Sequence, residues 1–444
     1  MPRLPSQFLN SLKSLALPDE EGFLRVHESG EQVTSIRFNP FKPCVPEFET
    51  ANRVPWTTQG FYLKTRPSFT QDPLFHAGCY YVQEAGSMFL EYALSKTFAL
   101  KQDLKILDLC AAPGGKSTIL NSMMSEGSLL VSNELIQNRA QTLAYNLSKW
   151  GKTNSIVSNN TAEQFETLPG YFDILVVDAP CSGSGLFRKQ EDAMDEWSPE
   201  HVNSCSIRQK NILNSGLKSL KEEGLLFYST CSYSIEENEG IVEWLVQEKG
   251  MEVVDIKVDP AWGIVQNDKG LRFYPHLLKS EGFFCSLMVK RENAVEKRQR
   301  VHLKNTVTDK EKKLLEVYAK TEGLELLKKN EKYYLLNRAC FEFLQLPVQG
   351  FYFRKAGVCL GELKNQDLIP EQELALSLSI SEQVHKVELT KETALAYLRK
   401  ENFSLASEHK GLVCFTHQKH GIGWGKVLSN RINNYLPPQL RILK

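Results

Sequence analysis

Ten cysteines are scattered through this 444-residue chain without a single CxxC pair. That absence removes the sequence signals of a zinc ribbon and of a thioredoxin-like redox site, and no metal centre is expected. A chain of this length needs no disulfide framework, so most of the thiols are read as small, reduced core residues. Long apolar runs are also missing: none approaches the roughly 20 residues of a membrane helix. The first residues, MPRLPSQFLNSLKSL, lack the apolar stretch and small-residue cleavage site of a signal peptide. The expectation is a cytoplasmic protein with no membrane partner. There is no excess of charge either, since 53 Lys and Arg balance 53 Asp and Glu. Bulk electrostatics therefore give no reason to expect nucleic acid. Internal repeats and low-complexity tracts are absent as well.

What is present is a globular composition, 42% hydrophobic and 24% charged, in a chain long enough for two to four domains. Up to about residue 75 it mixes an amphipathic helix (Leu4, Phe8, Leu9, Leu12, Leu15) with short strands such as VTSIRFNP, ended by Pro40. The aromatic and basic stretch WTTQGFYLKTRP could stack on nucleic acid, although such clusters also serve as core. Over 76–290, apolar strands alternate with helices: KILDLC, SLLVSNE, SIVSNN, FDILVVDAP, GLLFYSTC and EGFFCSLMVKR. That alternation predicts a doubly wound α/β sheet with Rossmann-like, right-handed crossovers. The charged stretch 291–313 reads as a linker with a helical end, and 314–444 as a small α+β module. From Glu401 onward Lys410, Lys419, Lys426, Arg431, Arg441 and Lys444 face only Glu401 and Glu408. A polyanion partner would suit this end, and so would an ordinary solvated face.

The stretch AAPGGKS follows the strand KILDLC and opens a helix near Lys116. Gly114 and Gly115 let the backbone turn and approach a ligand. The spacing is neither GxGxxG nor a Walker loop, so no phosphate cradle is indicated. At the end of the next strand Glu134 stands where a carboxylate accepts the hydroxyls of a ribose. A nucleoside cofactor without a pyrophosphate, S-adenosylmethionine, fits this arrangement better than a dinucleotide.

Two further strands end on cysteines. FDILVVDAPCSGSG carries Asp178 and Cys181, and GLLFYSTCSYS carries Cys231 about fifty residues on. In a doubly wound sheet ligands bind beyond the carboxyl ends of the strands, so both thiols would open into the crevice of the glycine turn. Methylation of carbon 5 of a pyrimidine needs such equipment. A thiolate adding at carbon 6 makes carbon 5 nucleophilic, and an acid such as Asp178 stabilises the charge at ring nitrogen 3. A second thiol could help expel the first. Spacing alone leaves open which cysteine attacks.

The order CAAPGGK, Glu134, DAPCSGSG, Arg188–Lys189, WSPE and YSTCSYSIEENE resembles the RNA cytosine-5 methyltransferases of the Sun/Fmu (RsmB/RsmF) type. LPSQFLNSL, TSIRFNP, YYVQEAGSM, EGFF and FTHQKHGIGWGKVLSNRINNYLP look like the RsmF branch, so the resemblance spans nearly the whole chain. It implies Cys231 as nucleophile and Cys181 as the residue that assists release. It also implies an S-adenosylmethionine pocket lined by Cys110, Ala111, Ala112, Pro113, Gly114, Gly115, Lys116, Glu134 and Asp178. The terminal modules would bind RNA, the last being PUA-like, and the substrate would be a cytosine in small-subunit ribosomal RNA, met by a monomer. One departure stands out: where the family commonly has an Asp near the adenine, this chain reads Asn159, Asn160, Thr161. Competing readings make Cys181 the nucleophile of a tRNA- or DNA-directed enzyme, or make the chain a non-catalytic RNA-binding assembly factor. Arg188 and Lys189 are read as either a solvated pair or phosphate contacts, with the second preferred, Trp197 as packing, and His417 and His420 as surface groups.

Overall fold

The computed structural model describes residues 4–15, 17–97, 102–190, 192–291, 307–346, 350–404, 409–429 and 431–443. Its centre is a ten-stranded sheet. From one edge the order is Val265–Gln266, Leu271–Phe273, Phe283–Lys290, Leu220–Thr230, Phe172–Asp178, Lys105–Asp108, Leu129–Asn133, Ser155–Ser158 and Phe353–Ala356, with Met251–Val253 also pairing Phe283–Lys290. The five strands from Leu220–Thr230 to Ser155–Ser158 are parallel, and Phe283–Lys290 runs antiparallel beside them. The apolar runs legible in the sequence are these strands, buried because helices cover both faces. Two hydrophobic clusters fill the two sides.

The chain winds outward from Lys105–Asp108 through Leu129–Asn133 to Ser155–Ser158, then returns to lay Phe172–Asp178 against the other side of Lys105–Asp108. This reversal opens a crevice beyond the carboxyl ends of Lys105–Asp108 and Phe172–Asp178, where the glycine turn and the first cysteine loop emerge.

The flanking regions do not respect the boundaries expected from composition. The N-terminal antiparallel sheet (Thr50–Arg53, Gly60–Leu63, Ser35–Phe38) takes its fourth strand, Tyr80–Val82, from beyond residue 75, because Ile36 to Phe38 pair with Val82 to Tyr80. Most of the stretch read as a linker lies outside the described residues, which resume just before a helix at Asp309–Glu316. The C-terminal region forms two four-stranded sheets, one from Glu325–Lys329 to Asp367–Pro370 and one from Lys386–Glu388 to Ile432–Asn434. It also lends Phe353–Ala356 to the edge of the central sheet, antiparallel to Ser155–Ser158.

The parts are locked by polar ties. The Lys42 ammonium is buried and donates to the carbonyls of Ala77 (2.8 Å), Lys149 (2.6 Å) and Leu376 (2.6 Å), joining three distant stretches. Arg37 is buried over the Trp150 ring and donates to Gln83 Oε1 (3.0 Å) and Thr118 Oγ1 (2.5 Å). The first helix, Ser6–Leu12, buries Phe8 against Phe187 and Trp197, with ring centroids 5.0 and 5.3 Å away.

Candidate active site

The glycine turn is built by its neighbours. Gly114 adopts φ 113°, a conformation other residues rarely take, and caps the helix Gly115–Met123. The turn's carbonyls are pinned: Arg139 Nη2 donates to Ala112 O (3.0 Å) and Asn146 Nδ2 to Pro113 O (2.8 Å). Behind it Asp108 is fully buried. Ser117 Oγ donates to its Oδ2 (2.6 Å), while Oδ1 has no hydrogen-bond partner among the described residues. Burial pushes the Asp108 carboxyl up to about 7.

Two cavities adjoin at the crevice. The larger, about 740 Å³, is lined by Glu134, Leu135, Ile136, Asn160, Thr161 and Cys181, among others. The smaller, about 310 Å³, is lined by Ala111, Pro113, Gly115, Lys116, Gly282 and Phe283, among others. Cys110, Ala112, Leu186, Asp178 and Cys231 border both. The residues singled out for cofactor binding thus divide. Glu134 faces the larger space, and Lys116 faces the smaller one with Ala111, Pro113 and Gly115. Gly114 sits at the helix start and lines neither.

The cysteines meet. Cys181 Sγ lies 3.1 Å from Cys231 Sγ, because their parent strands are parallel neighbours in register from Ile174–Leu225 to Asp178–Ser229. The hydrogen bond with Cys231 and burial hold the Cys181 thiol well above its ordinary range. Asp178 is held on both oxygens, by Ser229 Oγ on Oδ1 (2.7 Å) and by Lys116 Nζ on Oδ2 (2.8 Å). Its side chain keeps 39% exposure, whereas Lys116 keeps 7%. The carboxylate therefore looks out at the junction of the cavities, with its cation behind it.

Close approach explains two more glycines. Gly185 N donates to Cys231 O (2.8 Å) and Gly282 N donates to Gly185 O (3.0 Å). A Cβ on Gly185 would fall 2.4 Å from Gly282 O. DAPCSGSG, YSTCSYS and EGFF are therefore interlocked at their backbones.

Other expectations resolve individually. Arg188 is not a free phosphate contact: its side chain is 3% exposed, pairs with Glu281 at 3.5 Å and donates to Glu31 O. Lys189 stands 3.7 Å from the same carboxylate. Trp197 is packed, as expected. Trp56 and Tyr62 of the aromatic stretch are core. His417 and His420 bond to the carbonyls of Leu389 and Pro43. Among the described residues no cluster of His, Cys, Asp or Glu could hold a metal ion, and no helix is long and apolar enough to cross a membrane.

In the unusual Asn159–Asn160–Thr161 stretch, Asn159 turns its amide to the carbonyls of Glu134 and Leu135 (both 2.8 Å). Asn160 and Thr161 line the larger cavity. Asn160 Oδ1 accepts from Tyr352 N (3.0 Å), and its buried Nδ2 has no partner among the described residues.

A doubly wound sheet, an acid closing its second strand and two adjoining cavities beside a glycine turn are the features of a Rossmann-like methyltransferase fold, here with paired thiols at the crevice. The comparisons narrow this class. The family described as 16S rRNA methyltransferase RsmB/F matches residues 95–289, the N-terminal domain of 16S rRNA methyltransferase RsmF matches 4–85, and the methyltransferase RsmF PUA domain matches 384–442. Proteins named ribosomal RNA small subunit methyltransferase F are similar over nearly the full length. The one from Psychromonas ingrahamii is 29% identical, covering 99% of this chain and 97% of that protein. The one from Vibrio vulnificus is 30% identical, covering 98% and 97%. A solved methyltransferase homolog from Pyrococcus horikoshii superposes with a TM-score of 0.53 at 28% identity, over 65% of this chain and all of that one. The chain belongs to the RsmB/F family of 16S rRNA methyltransferases.

Nothing in KILDLC or YSTCSYSIEENE by itself marks Asp108 or Glu237 as part of the site; for Glu237 the signal in the sequence is the serine that follows each cysteine, Ser182 and Ser232.

Proposed function

We propose that this protein methylates carbon 5 of a cytosine in small-subunit ribosomal RNA, with S-adenosylmethionine as methyl donor. The observation that carries the reading is the 3.1 Å approach of Cys181 and Cys231 beside Asp178, where two cavities meet. The larger cavity, about 740 Å³, suits the cofactor in size and chemistry. Glu134 Oε1 accepts from Ile136 N (2.9 Å), so Oε2, 3.6 Å from Arg139 Nη1, can take the ribose hydroxyls. Leu135 and Ile136 expose apolar surface at the cavity for an adenine ring. The methionine part reaches the junction of the two cavities, where Asp108 borders the smaller one and its unpartnered Oδ1 suits the amino group. When bound, the cofactor supplies an electrophilic sulfonium methyl group.

The chain's own residues do the rest. The target base enters the smaller cavity, which Cys231, Asp178 and Lys116 all border. The Cys231 thiolate forms a bond to carbon 6, which makes carbon 5 nucleophilic. Asp178 faces ring nitrogen 3, and a proton passed from its carboxyl to that nitrogen neutralises the charge that develops on the ring, while Ser229 and Lys116 stabilise the carboxylate left behind. After methyl transfer a water at the crevice takes the carbon 5 proton, the electron pair left behind re-forms the carbon 5–carbon 6 double bond, and the carbon 6–sulfur pair departs on Cys231. Cys181 hands its proton to the departing thiolate. The N-terminal module, completed by Tyr80–Val82, and the C-terminal region grip RNA around the catalytic sheet, in a monomeric cytoplasmic enzyme.

The test is transfer of labelled methyl groups to small-subunit ribosomal RNA from cells lacking the protein, with 5-methylcytidine read by mass spectrometry. No 5-methylcytidine from the intact protein would reject the reading.

A further inference from the structure

Beneath the two cysteine loops lies a buried carboxylate that the mechanism above does not use. Glu237 has no exposed surface. Its Oε1 accepts from Ser182 N (2.8 Å) and Gln209 Nε2 (3.0 Å), and its Oε2 accepts from Ser182 Oγ and Ser232 Oγ, both at 2.5 Å. Ser182 follows Cys181 and Ser232 follows Cys231 in the chain. Gln209 Nε2 also donates to Pro180 O (3.0 Å), the residue before Cys181. On the other side Asn238 Nδ2 donates to Ser232 O (2.7 Å) and Asn238 Oδ1 accepts from Thr230 Oγ1 (2.5 Å). Tyr228 OH anchors the Glu237 carbonyl at 2.6 Å.

We propose that Glu237 is a positioning residue for both cysteines, its carboxylate tying the Cys181 loop to the Cys231 loop and setting the gap across which the thiols act. This rests on the reading under Proposed function. A buried carboxylate costs several kcal/mol unless its oxygens are fully hydrogen-bonded, so one at this place needs a reason. Only a carboxylate accepts four donors without offering a proton that must itself be housed. Two strand ends can pack in many ways, and apolar packing alone would not hold two sulfurs at 3.1 Å. The charge has a second effect. It adds to the hydrogen bond with Cys231 and to burial in keeping Cys181 a thiol, the form that gives a proton at release.

The test is Glu237→Gln in the full-length protein, which keeps size and loses the charge and one acceptor. Single-turnover methyl transfer should fall about 100-fold while S-adenosylmethionine affinity stays within about threefold, since misplacement of about 1 Å costs that much in rate. A second readout needs neither RNA nor cofactor: the rate at which diamide oxidises Cys181 and Cys231 to a disulfide, followed by mass spectrometry. Loss of the charge by itself eases ionisation of Cys181 and would speed the reaction, so the rates are compared at equal thiolate fraction, where the variant should be about tenfold slower as the thiols lose their fixed approach. A variant with wild-type turnover and wild-type disulfide rate overturns the inference, as does loss of cofactor affinity in step with the rate. Should Glu237→Gln not fold, Ser182→Ala with Ser232→Ala removes both hydroxyl donors and must show the same two losses, or the inference fails. If wild-type protein transfers no methyl group, the proposed function fails instead, and the disulfide rate still judges Glu237.

Discussion

Cys181 Sγ stands 3.1 Å from Cys231 Sγ across fifty residues of chain. Two thiols so close at a crevice need not do the same thing. Cys231 borders both cavities, and Cys181 borders only the larger. Under the proposed mechanism, the cysteine placed to reach a base in the smaller space while serving a methyl group from the larger one is Cys231.

Cys231→Ala should therefore abolish 5-methylcytidine formation. Cys181→Ala should carry out attack and methylation but stall before release, leaving a protein–RNA adduct visible as a slow band on a denaturing gel. An adduct with Cys231→Ala and none with Cys181→Ala would reverse the roles.

This pairing was half legible in the sequence. FDILVVDAP and GLLFYSTC are unbroken apolar runs, and such runs in an α/β alternation become neighbouring parallel strands whose ends share a crevice. The glycine turn and Glu134 were legible for the same reason, because each follows directly from a strand end. What could not be read depends on contacts between distant segments. Arg188 and Lys189 look like free cations until Glu281, some ninety residues on, folds against them. Nothing in GFYFRKAG marks Phe353–Ala356 as an edge strand of the catalytic sheet. Lys42 has an ordinary sequence context and an extraordinary set of partners.

Asp178 and Lys116 separate catalysis from stability. Asp178→Asn leaves the buried Lys116 ammonium without its counter-ion, so both turnover and melting temperature should fall, turnover by about 100-fold or more. Adding Lys116→Met removes the stranded charge. The double variant should recover much of the melting temperature and none of the turnover, as read by thermal unfolding and single-turnover assays.

Asp108 predicts a pH dependence. Burial lifts its folded-state value to about 7, against roughly 3.9 in an unfolded chain. Between those values the folded state holds a proton that the unfolded state has lost, so Asp108 makes stability fall as pH rises from about 4 to about 7. Asp108→Asn removes that contribution. The melting temperature of the variant minus that of wild type should grow steadily from pH 5 to pH 7.5, in the absence of cofactor. A constant difference would show that Asp108 is ionised throughout.

The wall of the larger cavity is braced from the C-terminal region. Arg354 Nη2 donates to Asn159 Oδ1 (2.9 Å), and Asn159 Nδ2 in turn holds the carbonyls of Glu134 and Leu135. Asn159→Ala releases the backbone that presents the Glu134 carboxylate. Losing a hydrogen bond of this kind is worth about 1 kcal/mol, so the dissociation constant for S-adenosylmethionine should rise about fivefold by calorimetry. RNA affinity should not change, and a loss of RNA binding without a loss of cofactor binding would contradict this brace.

Lys42 offers the strongest test of how the segments cohere. Its three ammonium protons are matched one to one by the carbonyls of Ala77, Lys149 and Leu376, and none of those residues lies near it in the chain. Lys42→Met keeps most of the side-chain volume but leaves three buried acceptors unmatched, at about 1–3 kcal/mol each. The loss should exceed what a surface lysine substitution costs and should be visible as a lower melting temperature. It should also change the form of the transition. If Lys42 couples the N-terminal, catalytic and C-terminal segments, calorimetry should split one cooperative peak into two, with the C-terminal region melting first. A single peak displaced without splitting would mean that apolar packing alone couples the segments.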